Sequence, residues 1–180
     1  MRPKLTPIPG TRERAVTIGL VRVGLAVERT PRSTDAVVHE EDTWRVLSSD
    51  TRTVRDPGES LSRVMIRALN ARRLDPGSVL VGAHRPVRLL AVVYDFDQNP
   101  CWQERWIARA LEGILHKADI LGLRSLTLPL LGTTHGALPE ARWVALLKEA
   151  LHGYSRGPLT RMQLVASGDA GVRLMDFLQA

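Results

Sequence analysis

The sequence predicts an α/β fold, a mixed but mostly parallel sheet flanked by helices, and three observations carry that expectation. Strands and helices alternate through the second half of the 180-residue chain, the order that buries a sheet under crossover helices. Ser125 to Gly153 reads as a buried strand, a glycine-bearing turn and an amphipathic helix. Two earlier segments, 59–74 and 102–121, repeat apolar residues at helical spacing.

Met1 to Thr11 contains Pro3, Pro7, Pro9 and Gly10 and reads as irregular. Residues 1–13 are therefore taken as a basic leader and 14–180 as a single domain. Arg14 to Val27 is valine-rich with partial alternation, one strand or two short ones. Asp35 to His39 is a short strand that ends at the polar group Glu40-Glu41-Asp42. Thr43 to Gly58 is ambiguous: Trp44, Val46 and Leu47 are compatible with strand, while Ser48 to Gly58 reads as loop.

Leu61, Val64, Met65, Ala68 and Leu69 give Glu59 to Leu74 one apolar helical face, and Asp75-Pro76-Gly77 ends it. Ser78 to Gly82 and Val87 to Tyr94 are strands, with Asp95 to Pro100 a loop. Trp102 to Leu121 is a long helix whose inner face holds Trp106, Ile107, Ala110, Leu111, Ile114, Leu115 and Ala118. Ser125 to Leu131 is nearly continuously apolar, as a strand covered on both faces should be. Gly132 to Gly136 offers small residues and backbone N–H groups, and Pro139 and Glu140 suit the first turn of the following helix. Trp143, Val144, Leu147, Ala150 and Leu151 form that helix's inner face. Thr160 to Ala166 is a last strand and Val172 to Leu178 a last helix.

Composition sets limits on function. The net charge is +6 and the pI about 10.4, yet the excess is local. Residues 1–32 carry Arg2, Lys4, Arg12, Arg14, Arg22, Arg29 and Arg32 against Glu13 and Glu28. Residues 33–60 reverse the sign, with Asp35, Glu40, Glu41, Asp42, Asp50, Asp56 and Glu59. A solvated tail beside a solvated loop explains this better than a nucleic-acid footprint does. The single cysteine, Cys101, excludes an intramolecular disulfide. No apolar run approaches membrane-spanning length and no signal-peptide core is present, so a cytoplasmic location is expected.

SLTLPLLGTTHGALP, residues 125–139, resembles the strand and phosphate loop of macro domains, commonly written S-x-A-x-P-x-x-G-T-G-x-x-G-x-P. Residues 102–123 resemble the helix and turn before that strand, and Asp35 to Asp42 stands where the family has D-A-I-V-N-A-A-N. The resemblance implies a three-layer α/β/α fold and binding of ADP-ribose or a related NAD-derived nucleotide. It also implies a ligand site at His39, Asp42, Gly58, Leu131, Gly132, Thr133, Thr134, His135 and Gly136. The chain departs from the family where His39 and Asp42 replace the two asparagines and Thr134 the middle glycine of G-T-G. The adenine-recognising aspartate has no counterpart in Gly24-Leu25-Ala26-Val27. A carboxylate in place of an asparagine removes an N–H donor and repels a diphosphate.

Three readings follow. The first is nucleotide binding with the phosphates held at 132–136, a strand-to-helix turn being suited to anions. The second is an ADP-ribosyl hydrolase with Asp42 or His135 as acid–base catalyst. A lysine nucleophile is not expected, since only Lys4, Lys117 and Lys148 are present. The third is a degenerate fold used for interaction, or for nucleic acid through the basic N-terminus. The residues call for no cofactor, and His39 with the neighbouring carboxylates lacks a metal-binding spacing. No membrane partner is expected.

Overall fold

The computed structural model describes residues 15–26, 34–47, 62, 66, 72–82, 85–133, 135–166 and 169–180. Among the described residues seven strands form one sheet: β1 (Ala15–Ile18), β2 (Val21–Ala26), β3 (Ala36–Asp42), β4 (Val79–Gly82), β5 (Val87–Tyr94), β6 (Ser125–Pro129) and β7 (Arg161–Val165). Their order is β1-β2-β7-β6-β3-β5-β4. The five inner strands run parallel, while β1 and β4 pair antiparallel at the two edges. Helices α1 (Glu104–Leu121), α2 (Glu140–Gly153) and α3 (Asp169–Gln179) flank it. The sheet is mixed and mostly parallel, as the alternation of elements required.

The valine-rich segment proves to be two strands joined by Gly19-Leu20, with Gly19 at φ 57°. A β-carbon there would lie 2.9 Å from the Leu151 carbonyl oxygen at the end of α2. The sheet edge therefore closes against that helix through a glycine.

All seven residues assigned from sequence to the inner face of α1 are buried. Gly113 lets α1 approach β4, since a β-carbon would come within 2.9 Å of Val79 Cγ2. Gly122, at φ 65°, ends the helix by returning its N–H to the carbonyls of Ala118 and Asp119. The helix α2 touches both α1 and α3, and it buries Trp143, Val144, Leu146, Leu147 and Leu151. Full burial of each such leucine contributes about 2 kcal/mol.

Several boundaries differ from the sequence reading. β3 continues through Glu40, Glu41 and Asp42 instead of stopping at His39, because these residues pair with Ala91, Val92 and Tyr94 of β5. β6 ends at Pro129, with Leu130 and Leu131 entering the loop. Trp102 stands before α1, in an isolated bridge to Tyr94. Pro139 is the extended N-cap of α2 and Glu140 its first residue. Of the helix expected at 59–74, Ser62 and Ile66 are helical and 72–74 are not, the rest lying outside the described residues.

Asp35 joins the inner strands at their start. Its Oδ2 accepts the N–H groups of Arg124 and Ser125, both at 2.9 Å, and the Ser125 hydroxyl at 3.0 Å. Burial pushes its pKa up, but these hydrogen bonds and nearby Arg161 outweigh it and hold the carboxyl below its usual value. The start of β3 is thereby fastened to the start of β6.

Candidate functional site

The loop after β6 meets the end of β3 through Glu40. Its Oε1 accepts the Gly132 N–H at 2.6 Å and the Tyr94 hydroxyl at 3.1 Å. The same Tyr94 oxygen accepts the His135 N–H at 3.3 Å, and the His135 ring stands edge-on to the phenol, 5.7 Å between centroids. On strand alternation alone Tyr94 would face away from Ala91 and from Glu40 beside it. A register shift between Glu41 and Asp42 pairs Tyr94 with Asp42, two residues beyond Glu40, and so turns the phenol onto the face of Glu40.

The loop is tight because glycines meet other chain segments. Gly132 has φ 77°, and a β-carbon there would lie 2.3 Å from Ile107 Cδ1. At Gly136 a β-carbon would lie 2.3 Å from the Gly132 carbonyl oxygen and 3.0 Å from the Trp102 ring. Trp102 thus acts as a floor under the loop. Three of the loop N–H groups have partners within the fold: Gly132 donates to Glu40, Thr133 to the Leu130 carbonyl at 3.2 Å, and His135 to Tyr94.

Burial pushes the Glu40 carboxyl above its usual pKa, against the opposing influence of the Gly132 N–H, the Tyr94 hydroxyl and the charge of His135. Burial and the neighbouring Glu40 charge push the Tyr94 phenol up as well, so it stays a donor. His39 is held below its usual value by burial and by Arg88, which favours the neutral ring at neutral pH.

Asp42 has a different environment. It is fully buried, and its oxygens accept three backbone N–H groups: Trp44 at 2.7 Å, Val46 at 2.7 Å and Leu47 at 2.8 Å. The carboxylate caps the turn that leaves β3. Beside that turn, buried Asp95 accepts from Arg73, from Gln98 Nε2 at 2.6 Å and from the Thr43 hydroxyl at 3.2 Å. Trp44 Nε1 donates to Asp97 at 2.9 Å. Burial pushes the Asp95 carboxyl up, but Arg73, the Asp97 N–H and the Thr43 hydroxyl bring it below its usual value.

Of the residues expected at the site, Gly132, Thr133, His135 and Gly136 lie together in one loop. His135 is exposed, Thr133 half-buried and Leu131 fully buried. His39 and Asp42 are on β3 on either side of Glu40 and Glu41. Gly58 and Thr134 lie outside the described residues. Sequence reasoning missed Glu40 and Tyr94 as the pair that holds the loop. The available signal was alternation along β3, which sets Val38 and Glu40 on one face.

A mixed sheet whose parallel strands end beside a glycine-bearing loop and the start of a helix defines an α/β protein. Within that class, the chain has the macrodomain fold. It is similar to the Oceanobacillus iheyensis macrodomain solved with MES bound, at a TM-score of 0.70 and 14% identity over 92% of this chain and 94% of that one. The same values hold for that macrodomain solved with ADP. The macrodomain of Thermus aquaticus DarG is similar at a TM-score of 0.59 and 17% identity, over 83% of this chain and 99% of that one. No protein-family model and no curated protein sequence matches the chain.

Proposed function

We propose that this chain binds ADP-ribose or a related NAD-derived nucleotide, with a phosphate seated against the loop at 132–136. The observation that carries the reading is the placement of that loop, beside the carboxyl end of β3 and before α2, in a macrodomain fold. The ADP-bound structure of the O. iheyensis relative supports a nucleotide as the ligand class. Calorimetric titration with ADP-ribose, with AMP and NAD for comparison, tests it. Micromolar binding specific to ADP-ribose is expected. His135→Glu, which adds a carboxylate at an exposed position, is expected to abolish binding without unfolding the protein. Equal binding by that variant would overturn the assignment of the loop.

The hydrolase reading draws less support. Asp42 is enclosed and committed to three backbone N–H groups, which leaves exposed His135 as its candidate acid–base group. Turnover on an ADP-ribosylated substrate that is lost in His135→Ala, with nucleotide binding intact, would favour it. A cytoplasmic location remains part of the proposal and is tested by fractionation.

A further inference from the structure

Resting on the proposed nucleotide reading, we infer that Glu40 is a built-in occupant of the anion site. It holds the Gly132 N–H in the free protein, and a phosphate takes that donor only when the Glu40 side chain gives it up and is neutralised by a proton. Binding of an anion is therefore coupled to proton uptake, and Glu40 sets both ligand choice and pH range.

An anion at a strand-to-helix loop is held by backbone N–H groups. Here the Gly132 N–H is already engaged at 2.6 Å by a carboxylate oxygen, the short distance of a charge-assisted bond. One N–H cannot serve both a carboxylate and a phosphate at full strength. Two anions in this half-buried place also repel strongly, since the effective dielectric is well below that of water. The lowest-energy way to admit a phosphate is to protonate the carboxylate.

The surroundings of Glu40 favour that exchange. Tyr94 reaches it from β5 and His135 from the loop, and these are the titratable groups that act on it among the described residues. Its chain neighbours Glu41 and Asp42 are acidic and fully buried, and Cys101 lies near enough to influence Tyr94. A Tyr94 hydroxyl released by Glu40 remains a donor, directed at the same place.

The test is titration of wild type, Glu40→Gln and Glu40→Ala with ADP-ribose and with inorganic pyrophosphate, between about pH 5 and about pH 8. Each variant is read against wild type at the same pH, so that the titration of the probe cancels. Wild-type affinity is expected to fall about tenfold per pH unit once Glu40 is ionised in the free protein, with one proton taken up per ligand. Glu40→Ala is expected to lack this slope and to bind at least about tenfold more tightly near pH 8. Glu40→Gln should lie between them, because its amide oxygen still accepts the Gly132 N–H. Identical pH profiles for wild type and Glu40→Ala with ADP-ribose would overturn the inference and leave the nucleotide reading standing. The expected profiles with pyrophosphate, without ADP-ribose binding by any protein, would overturn the nucleotide reading and support the Glu40 exchange. No binding of either probe by any folded variant would overturn both.

Discussion

Glu40 Oε1 lies 2.6 Å from the Gly132 amide nitrogen, joining two residues that are 92 positions apart in the chain. A carboxylate thus occupies a donor of the loop that we propose seats a phosphate. The contact also has consequences for stability, because burial makes ionised Glu40 less favourable in the fold than in water.

The Glu40 carboxyl has a raised pKa when folded, so the folded state holds its proton more tightly than the unfolded state does. Stability from this group is therefore greatest below the unfolded pKa and declines as pH rises through the folded one. Glu40→Gln is expected to raise the melting temperature at neutral pH and to leave it nearly unchanged near about pH 4. A variant less stable than wild type at neutral pH would show that the bonds from Gly132 and Tyr94 outweigh the burial penalty.

Asp95 has the opposite sign. Its pKa is lowered in the fold despite burial, chiefly by Arg73. Its contribution is fully present above the unfolded pKa and is lost as pH falls through the lower, folded value. Asp95→Asn should cost about 1–3 kcal/mol at neutral pH. The deficit should shrink in acid, and urea unfolding at two pH values would measure it.

Asp42 caps three N–H groups in a fully buried place. Asp42→Ala leaves those donors without their acceptor and is expected to destabilise by about 3 kcal/mol. Asp42→Asn, which retains one of the two oxygens, should cost less. If both variants match wild type in chemical denaturation, the turn does not depend on this cap.

Gly132→Ala meets two obstacles, a positive φ and the Ile107 Cδ1 contact. Ile107→Val removes that terminal methyl, so the double variant is expected to be more stable than the sum of the single effects predicts, by about 1 kcal/mol. Strict additivity would place all the strain in the backbone. Gly136→Ala has no such remedy, because its β-carbon would strike the Gly132 carbonyl oxygen, and it should disrupt the loop outright.

The sequence by itself determined the elements whose chemistry is periodic or locally punctuated. The inner face of α1 could be read residue by residue, because helical spacing places Trp106 through Ala118 on one side. The β6–loop–α2 unit was legible for the same reason, with a glycine marking the turn. These features arise from near neighbours in the chain, and so leave a local trace.

Only the tertiary structure decided what the acidic group at the end of β3 does. Glu40, Glu41 and Asp42 are alike in sequence, yet Glu40 holds the loop, Glu41 is buried and Asp42 caps a turn. Their fates depend on the register shift that pairs Asp42 with Tyr94 and on a glycine N–H that arrives from far along the chain. A bulge and a long-range donor have no local signature. The physical reason is that a strand residue's direction follows from its partner strand, and the partner is set by packing the whole sheet.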